Sequence, residues 1–345
     1  MSVALDFGTA TLKSLRNIDG QLKARSAPSV YAALPDSHSR RKLLEQLKIP
    51  SAVCEDNLVM MGQAAEEYAR MFQTPCIPLL PDGRIPADDP PARQMIASLL
   101  HALLPEPVRP GELCSITLPG EPLTRQEEQE TEFLKRLIRL QGYTPQPMSA
   151  GMAVVLAELV GDSFTGMGIS LGASFTEISV AVHGVEIIRC CVPRGGNWID
   201  EQLAVENEHY AWDSSGHQFL DTSRSREWKE QWGGSLQKPR TRDEKLLVRL
   251  YEELIGHAAG KVSAALSKSR RAAEIRGKLA VAVTGGPTHI GGFDEFFARC
   301  LAQHDLPLDT ERIRPAAQSA YTVARGLLIQ AELETGTAAS ARRAA

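Results

Sequence analysis

Two short stretches of small and hydroxyl-bearing residues have the composition of phosphate-binding turns. In the first, residues 8–11 (GTAT) follow Asp6, and in the second, residues 172–176 (GASFT) follow Ser170. Small side chains let backbone N–H groups approach an anion closely, and the hydroxyl groups can donate further hydrogen bonds. The candidate phosphate-binding residues are Gly8, Thr9, Ala10, Thr11, Gly172, Ala173 and Ser174.

Each of these turns lies between two apolar runs that predict strands. The first hairpin is VALDFGTATLKSL, residues 3–15, and the second is GMGISLGASFTEISVAV, residues 166–182. One such hairpin alone is most often a plain turn. Two copies in one chain indicate a duplicated domain, with a phosphate chain clamped between the two halves.

Length and composition favour a globular protein of two domains. The chain has 345 residues, 43% apolar content and a formal net charge of −4, which predicts no general attraction to nucleic acid or to anionic membranes. The six cysteines lack the spacing of a zinc site, and no apolar run approaches a membrane span. No signal peptide is recognised, so we expect a cytoplasmic protein with no integral membrane segment.

Strands and helices alternate along the rest of the chain, which predicts an α/β fold with layered sheets. We expect a first domain over residues 1–148, with a small subdomain at about 30–72 that bears helices. A second domain is expected over residues 149–316, with a small subdomain at about 205–243. A helix over 317–334 should return to the first domain, and residues 335–345 should be disordered.

Two further local features are a cluster of tryptophans and a possible helix cap. All four tryptophans lie between residues 198 and 232, and they fit either the core of a small subdomain or a partner-binding face. Thr124 and Glu127 have the spacing of a capping box at the start of a helix.

Five segments, in order, resemble the actin-like ATPase superfamily, which includes actin, sugar kinases and the seventy-kilodalton heat-shock chaperones. They cover residues 5–328 and comprise LDFGTA at 5–10, QPMSAGMAV at 146–154, SLGASFTE at 170–177, AVTGGPTHIGGFDEF at 282–296 and AYTVARGLL at 320–328. The chain is most similar to the MreB-type bacterial actins, through PLLPDGRI at 78–85 and GGNWIDEQLA at 195–204.

The resemblance implies a two-domain actin-like ATPase fold, with duplicated ribonuclease-H-like domains around a cleft that holds ATP and Mg²⁺. It implies that Asp6 holds hydrated magnesium and that Gln146 orients the attacking water. The residues that would approach the adenosine are Gly195, Gly196, Asn197, Gly285, Gly286 and Thr288. Asp200, in contrast, is expected to be a residue of the first helical turn rather than a ligand.

Two departures from the superfamily pattern predict weak hydrolysis. The second phosphate loop of the family normally begins with aspartate, where this chain has Ser170. The connection of MreB-type proteins usually carries glutamate, where this chain has Gln146. Glutamine can position a water by hydrogen bonds, but it is a poor base at neutral pH.

Three functions are compatible with the sequence. The first is an ATP-binding protein with slow ATPase activity that forms filaments or a scaffold through self-assembly. The second is a chaperone-like or assembly-factor ATPase that binds a protein partner without polymerising. The third, a metabolite kinase, is disfavoured because no catalytic aspartate of a substrate loop is recognised.

Overall fold

The computed structural model describes residues 2–69, 71–72, 74–118, 120, 125–212, 216, 218–316 and 319–344. The chain divides into two compact units, Met1–Met148 with Leu327–Ala345, and Ser149–Gly326. They are called unit 1 and unit 2. The predicted capping residue Thr124 lies outside the described residues.

Unit 1 contains a central five-stranded sheet and a smaller four-stranded sheet. Its strands are β1 (Ser2–Phe7), β2 (Thr11–Ile18), β3 (Gln21–Pro28), β4 (Val30–Pro35), β5 (Ala52–Cys54), β6 (Asn57–Met61), β7 (Ile77–Pro78), β8 (Glu112–Ile116) and β9 (Tyr143–Pro147). Its helices are α1 (His38–Gln46), α2 (Gln63–Tyr68), α3 (Pro90–Leu103) and α4 (Arg125–Leu140). The central sheet has the order β3-β2-β1-β8-β9, and the smaller sheet has the order β5-β6-β4-β7.

Unit 2 repeats the order of the central sheet. Its strands are β10 (Gly166–Leu171), β11 (Thr176–Val182), β12 (Val185–Val192), β13 (Tyr210–Trp212), β14 (Gln218–Leu220), β15 (Leu279–Thr284) and β16 (Leu308–Pro315). Its helices are α5 (Ala150–Glu158), α6 (Gly196–Glu206), α7 (Thr222–Gln231), α8 (Arg242–Lys268) and α9 (Phe293–Leu301), and α10 (Thr322–Ala344) runs on into unit 1. The order β12-β11-β10-β15-β16 matches that of unit 1 strand for strand, which supports the predicted duplication.

In each unit the central strand is antiparallel to the next strand of its hairpin and parallel to a later strand. β1 pairs with β2 and β8 in this way, and β10 pairs with β11 and β15. Both central strands are almost entirely buried, as their apolar composition predicts. The α/β fold class is confirmed, and the turn that follows each central strand is placed at the end of a rigid, buried element.

Close backbone contacts fix α5 against the sheet of unit 2. A Cβ atom added at Gly168 would lie 2.2 Å from the carbonyl oxygen of Gly151, and one at Gly326 would lie 1.8 Å from that of Ala153. These distances exclude any side chain larger than hydrogen unless the backbone shifts. The glycines therefore let α5 pack directly on β10 and on the start of α10.

Two parts of the fold contain elements that the sequence-based expectation does not name. The region at about 30–72 contains the strands β4, β5 and β6 besides its helices, because the short alternating runs there pair into a sheet over a small core. At the end of the chain, α10 runs from Thr322 to Ala344. The alanine-rich sequence there has high helix propensity.

A buried ion pair ties the first hairpin of unit 1 to β8. Arg16 and Glu112 are both less than 8% exposed, and the Arg16 guanidinium donates to the two carboxylate oxygens at 2.7 and 2.9 Å. The backbone N–H of Val108 donates to the same carboxylate. The Glu112 carboxylate is therefore well satisfied, whereas the buried Nε of Arg16 has no hydrogen-bond partner among the described residues. The two members depend on each other because water does not replace a lost partner there.

Replacing Arg16 by methionine is expected to lower the free energy of unfolding by about 3–5 kcal/mol, because it leaves the Glu112 carboxylate buried without its cation. Urea denaturation measures the change. The double variant Arg16→Met/Glu112→Leu should recover most of the loss. A single variant as stable as wild type would contradict this account of the pair.

Candidate functional site

The β1–β2 turn of unit 1 requires glycine at its first position. A Cβ atom at Gly8 would lie 2.6 Å from the carbonyl oxygen of Thr11, too close for any side chain. The carbonyl oxygen of Ala10 accepts a hydrogen bond from the N–H of Ser29, so it is directed into the protein. The turn between Gly8 and Thr11 is thus tight, with Ala10 exposed at its tip.

Asp6 lies directly before this turn in an environment that disfavours its charge. Burial raises the pKa of the Asp6 carboxyl, against the opposing effects of the Lys13 ammonium and of a hydrogen bond from Thr117. The Thr117 hydroxyl lies 3.3 Å from the Asp6 carboxylate and accepts from the N–H of Phe7 at 2.8 Å. A carboxylate kept at a desolvated strand end, at a cost in stability, is typical of a functional group.

Replacing Asp6 by asparagine is expected to stabilise the protein at neutral pH. For a carboxyl whose pKa is raised on folding, the destabilisation is absent below the ordinary pKa. It grows as the pH rises through the raised pKa, and it persists above that. Asp6→Asn should therefore have a higher urea midpoint than wild type at pH 7, and the difference should vanish in acid.

The exposed Asp56 provides the matched control, since Asp56→Asn removes one carboxylate without removing a buried charge. Its urea midpoint at pH 7 should equal that of wild type. An Asp6→Asn variant less stable than wild type at pH 7 would show that the Asp6 carboxylate is a structural anchor instead.

The β10–β11 turn of unit 2 has the same local geometry as the first turn. The N–H of Gly172 donates to the carbonyl oxygen of Phe175 at 2.8 Å, and a Cβ atom at Gly172 would lie 2.9 Å from that oxygen. Ala173 and Ser174 form the partly exposed tip. Thr176 is fully buried, and its hydroxyl donates to the carbonyl oxygen of Arg194 rather than facing outward.

The start of α6 packs against the carbonyl side of this turn. The N–H of Gly196 donates to Gly172 at 3.0 Å, and the N–H of Asn197 donates to Ala173 at 2.8 Å. A Cβ atom at Gly195 would lie 2.3 Å from the carbonyl oxygen of Gly172. Gly195 and Gly196 therefore hold the turn in place, and the side-chain amide of Asn197 contacts the Ser174 hydroxyl at its tip, at 3.5 Å.

The segment after β15 contains two glycines with opposite surroundings. Gly285 has φ +120°, and a Cβ atom there would lie 1.9 Å from the carbonyl oxygen of Leu171, so the position admits only glycine. Gly286 is exposed, and a Cβ atom there would meet no atom within 4 Å. Thr288 is 8% exposed and donates its hydroxyl to the carbonyl oxygen of Gly285.

Three segments predicted to bind nucleotide thus come together within unit 2. Gly172 contacts the start of α6, Leu171 contacts Gly285, and a Cβ atom at Gly196 would lie 3.5 Å from the Pro287 ring. The other predicted residues, Asp6, residues 8–11 and Gln146, belong to unit 1.

Two cations of α7 that sequence reasoning missed converge on α6. The Nζ atom of Lys229 lies 2.5 Å from the Asp200 carboxylate and 3.2 Å from the carbonyl oxygen of Gly196. Arg226 contacts Asp200 at 3.4 Å and donates to the Asn197 side chain at 3.1 Å. Asp200 is 2% exposed, so it anchors these cations beside the turn. No sequence motif signals a pairing across this distance in the chain.

The two positions that depart from the superfamily pattern lie on strands. Ser170 of β10 is in register with Glu177 of β11 and with Thr284 of β15. The side chain of Glu177 accepts from the N–H of Ala150 at 3.3 Å. In β9, the side-chain oxygen of Gln146 is buried and has no hydrogen-bond partner among the described residues. It is an unsatisfied acceptor of the kind that a bound water would satisfy.

The described residues contain no cluster of three or more histidine, cysteine, aspartate or glutamate side chains that could hold a metal by itself. A divalent ion at Asp6 would therefore need further oxygen ligands from water or from a bound phosphate, which is how Mg²⁺ is commonly held. All six cysteines are free thiols. In the described part of the chain, every helix is too short or too polar to cross a membrane.

The family model for volactin matches residues 1–331. The chain belongs to the Volactin family. A comparison with curated proteins finds no match for the sequence.

Solved structures with the same fold as this volactin-family chain include a MamK double helical filament, at 15% identity and a TM-score of 0.67, covering 96% of this chain and 99% of that one. MreB 5 of Spiroplasma citri bound to AMPPNP matches at 17% identity and a TM-score of 0.66, over 97% and 98% of the two chains. The protein EutJ from Carboxydothermus hydrogenoformans, involved in ethanolamine utilization, matches at 16% identity and a TM-score of 0.50, over 95% and 89%. At these identities the matches confirm the actin-like fold alone.

Proposed function

We propose that this volactin-family chain binds ATP together with Mg²⁺ and hydrolyses it slowly. The observation that carries the proposal is the convergence of the 172–174, 195–197 and 285–288 segments in unit 2, with open space at Gly286. A fold match to MreB 5 bound to AMPPNP supports the choice of nucleotide. Close approach of a ligand to the backbone requires a rigid turn and a neighbouring position without a side chain. The tightly packed glycines supply the first, and Gly286 supplies the second.

Different residues would bind the phosphates and the nucleoside. The tip at Ala173 and Ser174 would donate to the terminal phosphates, and the turn at residues 8–11 of unit 1 would present N–H groups to a phosphate as well. Asn197 and the exposed backbone at Gly286 would lie next to the nucleoside. Lys229, held by Asp200, adds positive charge beside the turn and favours a phosphate ligand.

Asp6 and Gln146 would act on the metal and on water, respectively. Mg²⁺, when bound, neutralises phosphate charge. The Asp6 carboxylate would accept hydrogen bonds from the ion's water shell, which would favour its ionised form. The buried oxygen of Gln146 would accept a hydrogen bond from a water and orient it, but it would not remove a proton. Slow turnover follows because the water would be oriented but not deprotonated.

We further propose that the chain acts by assembling into filaments or a scaffold in the cytoplasm. The match to a MamK double helical filament supports self-assembly, and six free thiols fit a reducing compartment. An assembly factor that binds another protein without polymerising is the second candidate.

Sedimentation with and without nucleotide separates these two candidates. Protein that pellets at high speed in the presence of ATP and Mg²⁺, and returns to the supernatant on dilution, supports assembly. Protein that binds ATP and remains in the supernatant at every concentration contradicts assembly and favours the assembly-factor function.

A further inference from the structure

The β13–β14 hairpin of unit 2 exposes three aromatic side chains. Tyr210, Trp212 and Phe219 are 49%, 68% and 46% exposed, respectively. The other three tryptophans, Trp198, Trp228 and Trp232, pack against the core of unit 2. The structure thus divides the tryptophan-rich region into a core part and an exposed part. The paired strands β13 and β14 are called the aromatic hairpin.

The chain that leads into the aromatic hairpin and forms it is acidic. Residues 201–221 contain five acidic residues and no lysine or arginine. Of these, Glu206 and Glu208 are exposed immediately before β13. An exposed aromatic surface with an acidic border favours a partner rich in arginine, whose guanidinium group stacks on aromatic rings and pairs with carboxylates.

A surface of that kind exists elsewhere in the same unit. Residues 268–278 contain five lysines and arginines and one acidic residue, Glu274. All five cations are exposed. Arg271 pairs with Glu274, but Arg270 and Arg276 form no ion pair with another residue in the described parts of the chain. Residues 268–278 are called the basic segment.

Helix α8 separates the two surfaces. Near its start, Arg249 contacts Glu206, four residues before β13, at 3.5 Å, and Glu244 accepts from Trp232 at 3.3 Å, so the chain that leads into the aromatic hairpin lies near this end. The basic segment begins at Lys268, the last residue of α8. From Arg249 to Lys268 a helix rises about 28 Å. The two surfaces therefore lie toward opposite ends of α8 and cannot meet within one molecule.

From these observations we infer that the aromatic hairpin of one copy binds the basic segment of the next copy. The inference rests on the proposed self-assembly and names the surfaces that carry it. Because the two surfaces are different and lie toward opposite ends of α8, the contact is head-to-tail, and each added copy exposes a new binding end. Such an interface does not close on itself and produces a linear filament.

The test uses two full-length variants, each with one surface altered. Trp212→Arg removes the largest exposed ring and adds a positive charge that repels the basic segment, and Arg270→Glu/Arg276→Glu reverses the charge at two positions of the basic segment. Matched controls are Leu22→Arg, at a residue 57% exposed, and Lys23→Glu/Lys42→Glu, both in unit 1. Sedimentation velocity at increasing concentration, with ATP binding measured in parallel, reports assembly separately from nucleotide binding.

Each altered variant should remain a monomer under conditions where wild type and both controls assemble, with ATP affinity unchanged. An equimolar mixture of the two variants should form dimers and nothing larger, because each retains one intact surface. Salt should weaken wild-type assembly. If wild type assembles and either variant still assembles like it, or the mixture stays monomeric, the inference is wrong. If wild type itself never assembles, both the inference and the proposed filament are wrong, whatever the ATP affinity.

Discussion

Replacing Gly286 by valine is expected to abolish ATP binding without unfolding the protein. The position is exposed, and a Cβ atom there meets nothing within 4 Å, so the folded chain accommodates the larger side chain. The branched side chain then occupies the space assigned to the nucleoside. We expect affinity to fall at least about 100-fold, equivalent to about 2.8 kcal/mol of binding free energy. Equilibrium titration measures the affinity, and urea denaturation measures the stability.

Two further glycine variants make the interpretation of that result specific. Gly161 is also exposed, with no atom within 4 Å of an added Cβ, so Gly161→Val should bind ATP like wild type. Gly285→Ala should instead destabilise the fold, since its Cβ would lie 1.9 Å from a carbonyl oxygen at φ +120°. A Gly286→Val protein that is folded and binds ATP with wild-type affinity would contradict the placement of the nucleoside.

The second large effect concerns turnover. Wild type is expected to hydrolyse ATP far below 1 s⁻¹, because neither Ser170 nor Gln146 supplies a negative charge or a base. Orientation and general-base effects are each worth roughly 10²–10⁴-fold in typical enzymes. The double variant Ser170→Asp/Gln146→Glu should therefore release phosphate at least about 10-fold faster than wild type.

Each control variant keeps the side-chain shape of the residue it is compared with and changes only its charge or its hydrogen bonding. Ser170→Asn has nearly the shape of Ser170→Asp without its charge, and it should show no gain. Gln146→Met removes the buried acceptor at similar volume, and it should lower turnover below wild type while ATP still binds. Because Ser170 pairs in register with Glu177, an aspartate there faces a second carboxylate, so each variant must first be shown to be folded. Wild-type turnover of 1 s⁻¹ or faster would contradict the role given to the two departures.

The sequence reveals those parts of the fold that depend on local composition. Gly8 and Gly172 were recognisable because a tight turn between two apolar runs needs a small residue at that point. The buried strands β1 and β10 were recognisable for the same local reason. The fold class follows from their repetition along the chain, and the structure confirms it.

The remaining details depend on contacts between residues distant in the chain. The pairing of Lys229 and Arg226 with Asp200 crosses a polar segment whose composition indicates only a subdomain. From the sequence, the N–H groups at the start of α6 are expected to be available to bind a ligand. In the structure they donate to the carbonyl oxygens of Gly172 and Ala173. The exposure of Trp212, in contrast with the three partly buried tryptophans, likewise depends on packing that no local pattern encodes.

Calorimetric titration of the full-length protein with ATP in the presence of Mg²⁺ tests the central claim most directly. We predict a saturable heat of binding with wild type, the same with Gly161→Val, and none with Gly286→Val. A folded wild-type protein that gives no heat of binding and no thermal stabilisation at millimolar ATP or ADP would contradict the claim that this volactin-family chain binds nucleotide.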